Sequence, residues 1–244
     1  MEPSETVALA TPQQPDGTYD RTFDELRTGF TAAVSHELRT PLARILVLLD
    51  NAELPDSDVP ALIDQARAEI EHAGALIDEI LFLSELESGK EIVSLGRTNA
   101  LPVLESVVAE LGEAASRAGV ELRAGGDPQV DLPMRPRMLR MIAENLAENA
   151  VRYAGHGARF ELIVAREGNA GVLIARDDGA GVEASVLPRL FERFFRSDAA
   201  RTSRGTGLGL SIVKHVVAAA GGDVEADGAP GEGLTIRCVF PLAS

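Results

Sequence analysis

Two long apolar stripes of helical period occupy the first third of the chain and decide what it can fold into. Val34, Leu38, Leu42, Ile45 and Leu49 recur at spacings of four, four, three and four, which is one face of a helix. After a break at LPDSDVP (54–60), a second stripe runs through Leu62, Ala66, Ile70, Ala73, Ile77, Ile80 and Leu83. Two helices of roughly 30 residues span on the order of 45 Å each. A lone hairpin cannot bury stripes of that length. The pattern predicts a helical hairpin over residues 21–90 that dimerises into a four-helix bundle.

The first stripe carries an irregularity. The doubled step of four from Val34 to Leu42 departs from a heptad and falls beside Pro41, and such a stutter locally unwinds a coiled-coil seam. Proline inside a helix costs about 3 kcal/mol through a lost hydrogen bond and a clash with the preceding turn. The residues just before it read S-H-E-L-R-T, so His36, Glu37 and Thr40 share the disturbed region. The expectation is a local bend at a His-Glu pair.

Beyond residue 96 the texture changes. A helix over 100–117 precedes a short strand, VELRAG, and a helix over 135–153 precedes paired strands, ARFELIVARE and GVLIARDD. A loop-rich segment fills 180–206, a helix starts near Gly207, and a hairpin (GDVEADGAPGEGLTIRCVFPL) closes the chain. Helices and mostly antiparallel strands segregated in this way predict an α+β two-layer sandwich over 96–244. Residues 1–20 carry three prolines, four acidic residues and no basic ones, and read as a flexible acidic leader.

Charge and composition narrow the function classes. A net charge of −15 weighs against nucleic acid, whose binding needs a cationic surface. A single cysteine, Cys238, excludes an intrachain disulfide and fits a reducing compartment; its neighbours IRCVF predict a buried strand residue. No apolar run approaches the roughly 18 residues of a membrane span, and no signal peptide is visible. The expectation is a cytoplasmic chain, attached to a membrane only through a region preceding it, if at all.

Four clusters carry chemistry. D-D-G-A-G (177–181) follows a strand and G-T-G-L-G-L-S (205–211) precedes a helix. Glycines at a helix N-terminus let backbone N–H groups close on phosphate oxygens, although a tight turn explains either cluster alone. Neither the Walker pattern nor the dinucleotide fingerprint fits: Leu210 follows Gly209, and no βαβ unit surrounds the glycines. In ENLAENAVRY (144–153), Asn145 and Asn149 lie on one helical face with Arg152 three further on. That face suits Mg²⁺, a hard ion that shares substrate phosphates, or is a solvated polar face. FERFFR (191–196) concentrates phenylalanine in a chain only 4% aromatic. It anchors a loop, or hinges a mobile lid with Arg193, Arg196, Arg201 and Arg204 toward anionic oxygens.

His36 and Thr40 share a helical face about 6 Å apart along the axis. A histidine beside a carboxylate has a base able to take its proton while the other ring nitrogen attacks an electrophile. His72, His156 and His215 lack such a setting and read as structural or surface residues.

The ordered motifs resemble the sensor histidine kinases of bacterial two-component systems. SHELRTPL is similar to that family's phosphoacceptor box, ENLAENAVRY to its N box, DDGAG and GTGLGLS to its two glycine boxes, and FERFFR to its F box, in family order across 22–242. The resemblance implies a Bergerat-type (GHKL) ATP-binding fold after a dimerisation and phosphotransfer hairpin. It implies ATP and Mg²⁺ as ligands, and a homodimer acting on the receiver domain of a response regulator.

By the same resemblance His36 is phosphorylated, Glu37 is its general base and Thr40 positions water for dephosphorylation of the partner. Asn149 ligates Mg²⁺ with Asn145 in support, and Arg152 and Tyr153 contact nucleotide. Asp177 takes the adenine amine, Gly179 and Gly181 line the base pocket, and Arg196, Gly205, Gly207, Leu208 and Gly209 border the phosphates. Two positions depart from the family pattern: LPMRPRM stands where an Asp often precedes the N box, and Arg152 where lysine is common. Competing readings are a docking scaffold and an ATP-driven clamp. The intact His36, Asn149 and Asp177 argue against the first, and the second has no use for SHELRTP.

Overall fold

A computed structural model describes residues 18–55, 57–87, 96–197 and 205–242, with side chains from Val34 onward except at His36 and 85–87. Helix α1 (Thr18–Ala52) and helix α2 (Val59–Glu87) form the expected hairpin. Helix α1 is continuous through Pro41, and it starts three residues earlier than expected; most of the proposed leader lies outside the described residues. The turn between the helices is held locally. Ser57 Oγ donates to the Ala52 carbonyl at 3.2 Å, and Asp58 Oδ1 accepts from the Ala61 N–H at 3.2 Å, a side-chain cap for α2.

The first apolar stripe has no fully buried member, and the second buries only Ala66 and Leu83. Ala66, Leu76, Phe82 and Leu83 are buried, whereas Leu42, Leu46, Leu49, Ile63, Ile70 and Ile77 are exposed. The buried set includes one charge, Glu69, which Arg44 of α1 reaches across the hairpin at 3.5 Å. No helix among the described residues is long and apolar enough to cross a membrane.

The remainder is the two-layer sandwich. Strands β2 (Glu121–Gly126), β4 (Arg159–Glu167), β5 (Ala170–Asp177), β6 (Asp223–Ala229) and β7 (Gly233–Pro241) form one sheet in the order β2-β4-β5-β7-β6. Strand β2 runs parallel to β4 and all other neighbours are antiparallel. A two-residue pair, β1 (Thr98–Asn99) with β3 (Asp131–Leu132), stands apart from it; no residue pattern signals strands so short.

Helices α3 (Ala100–Ala118), α4 (Pro136–Tyr153) and α5 (Gly209–Ala219) cover one sheet face. Alternation in the strands decides which residues meet them. Phe160, Leu162 and Val164 of β4, and Ile236, Cys238 and Phe240 of β7, point inward onto Leu139, Ile142, Leu146, Val213 and Val216. Cys238 is fully buried as expected, and burial pushes its thiol up to about 12. The outer face mixes apolar residues with ion pairs, Arg176 opposite Glu161 at 2.8 Å and Arg237 against Glu167. Such cross-strand pairs contribute roughly 0.2–1 kcal/mol each.

Leu132 and Met134, in the segment where the family often has an Asp, are fully buried core residues. Pro136 opens α4 at its first turn, where a missing N–H costs no hydrogen bond.

Candidate nucleotide site

A cavity of 580 Å³ opens where α4, the end of β5 and the start of α5 converge. Asn145, Asn149, Arg152 and Tyr153 enter it from α4, which presents this polar face because its other side buries Leu139, Ile142, Leu146 and Ala150. Asp177 enters from the end of β5, and Gly181, Arg196, Gly205, Gly207 and Gly209 complete the lining from the loops.

The close fit of α5 against α4 depends on glycine. A Cβ on Gly209 would lie 2.5 Å from Asn145 Oδ1, so any side chain there would occupy the space of that oxygen. The Asn145 amide is oriented from behind, its Nδ2 donating to the Met141 carbonyl at 2.8 Å. That leaves Oδ1 as an acceptor toward Gly209. Gly181 also requires glycine: its φ is +65° and a Cβ would collide with the Ala229 carbonyl.

Asp177 is buried and accepts a hydrogen bond from the Gly179 N–H at 2.9 Å. Burial raises its carboxyl above the usual range, partly opposed by the Gly179 and Leu234 backbone donors. Gly179 is thus a support for Asp177, packed on Ala154 at the end of α4. Leu208 has its side chain fully buried in the core, so only its backbone can serve a ligand; that N–H donates to Thr206 Oγ1 at 3.2 Å.

The FERFFR segment is tied down in three places. The Phe194 N–H donates to the Gly207 carbonyl at 2.9 Å, the Arg189 guanidinium stacks 4.2 Å from the Phe195 ring, and Arg193 meets His215 of α5 at 3.0 Å. Arg193 therefore meets His215, which fits the loop-anchor alternative for this segment. Arg196 does line the cavity. Arg201 and Arg204 lie outside the described residues.

Three wall residues come from the hairpin: His72, Ala75 and Glu79 of α2. Thr206 Oγ1 donates to Glu79 Oε2 at 2.9 Å. None of these was singled out as a ligand-facing residue, yet their spacing of three and four marks one face of α2. The described residues of α1 do not line the cavity. Glu37 and Thr40 lie on α1, where Thr40 borders a separate groove with Arg44, Gln65 and Glu69. His36 belongs to the same helix, and its side chain lies outside the described residues.

The two halves of the chain match two family models. Residues 26–89 match the His Kinase A (phospho-acceptor) domain, and residues 134–244 match the histidine kinase-, DNA gyrase B- and HSP90-like ATPase. The chain belongs to the sensor histidine kinase family.

Among similar proteins, Sensor protein QseC of Escherichia coli K12 is 33% identical over 200 residues, covering 80% of this chain and 43% of that protein. The phosphate regulon sensor protein PhoR of Pseudomonas aeruginosa is 34% identical over 229 residues, 91% and 51% respectively. This histidine kinase chain thus spans about half the length of those relatives. The structure of full-length ShkA in complex with AMPPNP superposes with a TM-score of 0.67 at 28% identity, over 91% of this chain and 46% of that one. Histidine kinase ThkA in complex with the response regulator TrrA shares the fold, with a TM-score of 0.70 at 17% identity over 93% and 65%.

Proposed function

We propose that the chain transfers the γ-phosphoryl group of ATP to His36 and from there to an aspartate on the receiver domain of a response regulator. The observation that carries this reading is the convergence on one cavity of Asn145, Asn149, Asp177 and the glycine loop ahead of α5. The hairpin that walls the cavity also bears His36 and Glu37. Residues 21–90 act as the dimerisation and phosphotransfer unit and 96–244 as the catalytic unit.

In the first step a neutral His36 nitrogen attacks the γ-phosphorus and the bond to the ADP oxygen breaks. Glu37 takes the proton from the other ring nitrogen, leaving phosphohistidine and ADP. An ordinary histidine is mostly neutral at pH 7. Asp177 accepts the adenine amine; Asn149, with the Oδ1 of Asn145 beside it, supplies the oxygens that would hold Mg²⁺. When bound, that ion neutralises phosphate charge. Arg152 and Arg196 are the cations of the cavity wall, and Tyr153 lies beside Arg152 under Gly205. In the second step the phosphoryl group moves from the His36 nitrogen to a carboxylate oxygen of the receiver aspartate.

Two hairpins pair through the exposed face of Leu42, Leu46, Leu49, Ile63, Ile70 and Ile77 to give a homodimer. Thr40 orients the water that hydrolyses the regulator's aspartyl phosphate. Timed phosphotransfer from the labelled protein to the receiver domains of its source genome tests the pairing. One receiver should be labelled much faster than the rest, and its label should persist longer with Thr40→Ala than with the unmodified chain. Labelling of no receiver would remove the second step, and unchanged decay with Thr40→Ala would remove the role of Thr40.

A further inference from the structure

A carboxylate of the hairpin sits at the anion-binding end of the cavity. The hydroxyl of Thr206 donates to Glu79 Oε2 at 2.9 Å and itself accepts from the Leu208 N–H at 3.2 Å. Glu79 is therefore held one hydroxyl away from the N-terminus of α5, an 11-residue helix. Its first N–H groups and dipole favour negative charge there. Glu79 shares the cavity wall with Asn149, Gly205 and Gly207. Its carboxyl is raised by burial and by the nearby Glu148, against the Thr206 hydrogen bond and Arg152. Burial and the like charge of Glu148 disfavour the ionised carboxylate in this position, so a ligand that displaced it into solvent would relieve that cost.

We propose that Glu79 is an internal competitor of the nucleotide's phosphates, seated on the glycine loop when the site is empty and displaced when nucleotide binds. The proposal rests on the reading of the cavity as an ATP site. Phosphate oxygens and the Glu79 carboxylate compete for the Thr206 hydroxyl and repel one another. Docking of α2 on α5 and loading of nucleotide are then antagonistic, and by linkage each weakens the other by the same factor. Loading would release the catalytic layer from α2, so that the sandwich can turn toward α1 and His36.

Calorimetric titration of the full chain with ADP and with adenosine, in the presence of Mg²⁺, tests this with Glu79→Ala and Glu79→Gln. Glu79→Ala should bind ADP about tenfold more tightly than the unmodified chain, the scale of one charge-assisted hydrogen bond. Glu79→Gln keeps an acceptor for Thr206 without the charge and should fall between the two. Adenosine, which has no phosphate, should bind all three alike. Unchanged or weaker ADP binding by Glu79→Ala would overturn the proposal, as would an equal gain for adenosine and ADP, which marks a steric effect. Failure of all three proteins to bind either ligand would instead sink the ATP-site reading beneath it.

Discussion

The Arg193 guanidinium meets Nε2 of His215 at 3.0 Å, and Nδ1 of the same ring meets the Ser211 carbonyl at 2.7 Å. A guanidinium only donates and a carbonyl only accepts, so the ring is neutral with its proton on Nδ1. It joins the FERFFR segment to the middle of α5, the helix whose start borders the nucleotide cavity.

Protonation would end that contact. Burial, with Arg193 and Lys214 nearby, lowers the His215 pKa below its ordinary value of 6.5. The folded state therefore binds fewer protons here than the unfolded chain. The His215 contribution is complete above pH 6.5 and is lost as the pH falls below it. Glu79, Glu148 and Asp177, all raised, act in the opposite sense, so a variant must isolate the histidine. Between pH 7.5 and 5.5 the melting temperature of His215→Gln, which keeps a donor and an acceptor, should fall less than that of the unmodified chain. Parallel curves would contradict the assignment.

Asp177→Asn separates binding from stability. Its buried carboxylate is destabilising when ionised, since burial raises its pKa, and asparagine keeps the acceptor for the Gly179 N–H. Thermal stability at neutral pH should hold or rise. ADP affinity should drop about ten- to a hundredfold, from loss of one hydrogen bond to a charged group. Calorimetry and melting on the same sample check both, and unchanged affinity would remove Asp177 from the adenine site.

The exposed hairpin face gives a third expectation. Ile70 is 59% exposed and Leu42 57% exposed, so Ile70→Glu should cost a lone hairpin no more than about 0.5 kcal/mol. In a dimer it would bury an unpaired charge. Sedimentation velocity should show a dimer for the unmodified chain and a monomer for Ile70→Glu; a variant that stays dimeric would place the interface elsewhere.

Local pattern carried the fold well. The helices over 100–117 and 135–153 and the strand segments were placed near their observed positions, and the break at LPDSDVP spans the turn and the start of α2. Asn145, Asn149, Asp177 and Gly181, Gly205, Gly207 and Gly209 could be picked out as candidates because each motif is short and contiguous, and they line one cavity. What escaped was contact between distant segments. Thr206 and Glu79 are 127 residues apart, and nothing in α2 alone says that its 72–75–79 face meets α5. The choice between loop anchor and lid stayed open at FERFFR for the same reason: the partner of Arg193, His215, lies 22 residues on, within α5. Leu208 sits in the glycine-rich GTGLGLS segment yet turns its side chain inward, because the first turn of α5 must also close the core.

The most direct test is to incubate the full chain with γ-labelled ATP and Mg²⁺, then map the phosphate by peptide mass spectrometry at neutral pH. The chain has four histidines, and one of them, His72, lines the cavity itself, so the map discriminates. The account predicts acid-labile label on the His36 peptide alone, absent from His36→Ala and reduced at least a hundredfold by Asn149→Ala. Label persisting in His36→Ala, or found on the His72 peptide, would contradict it.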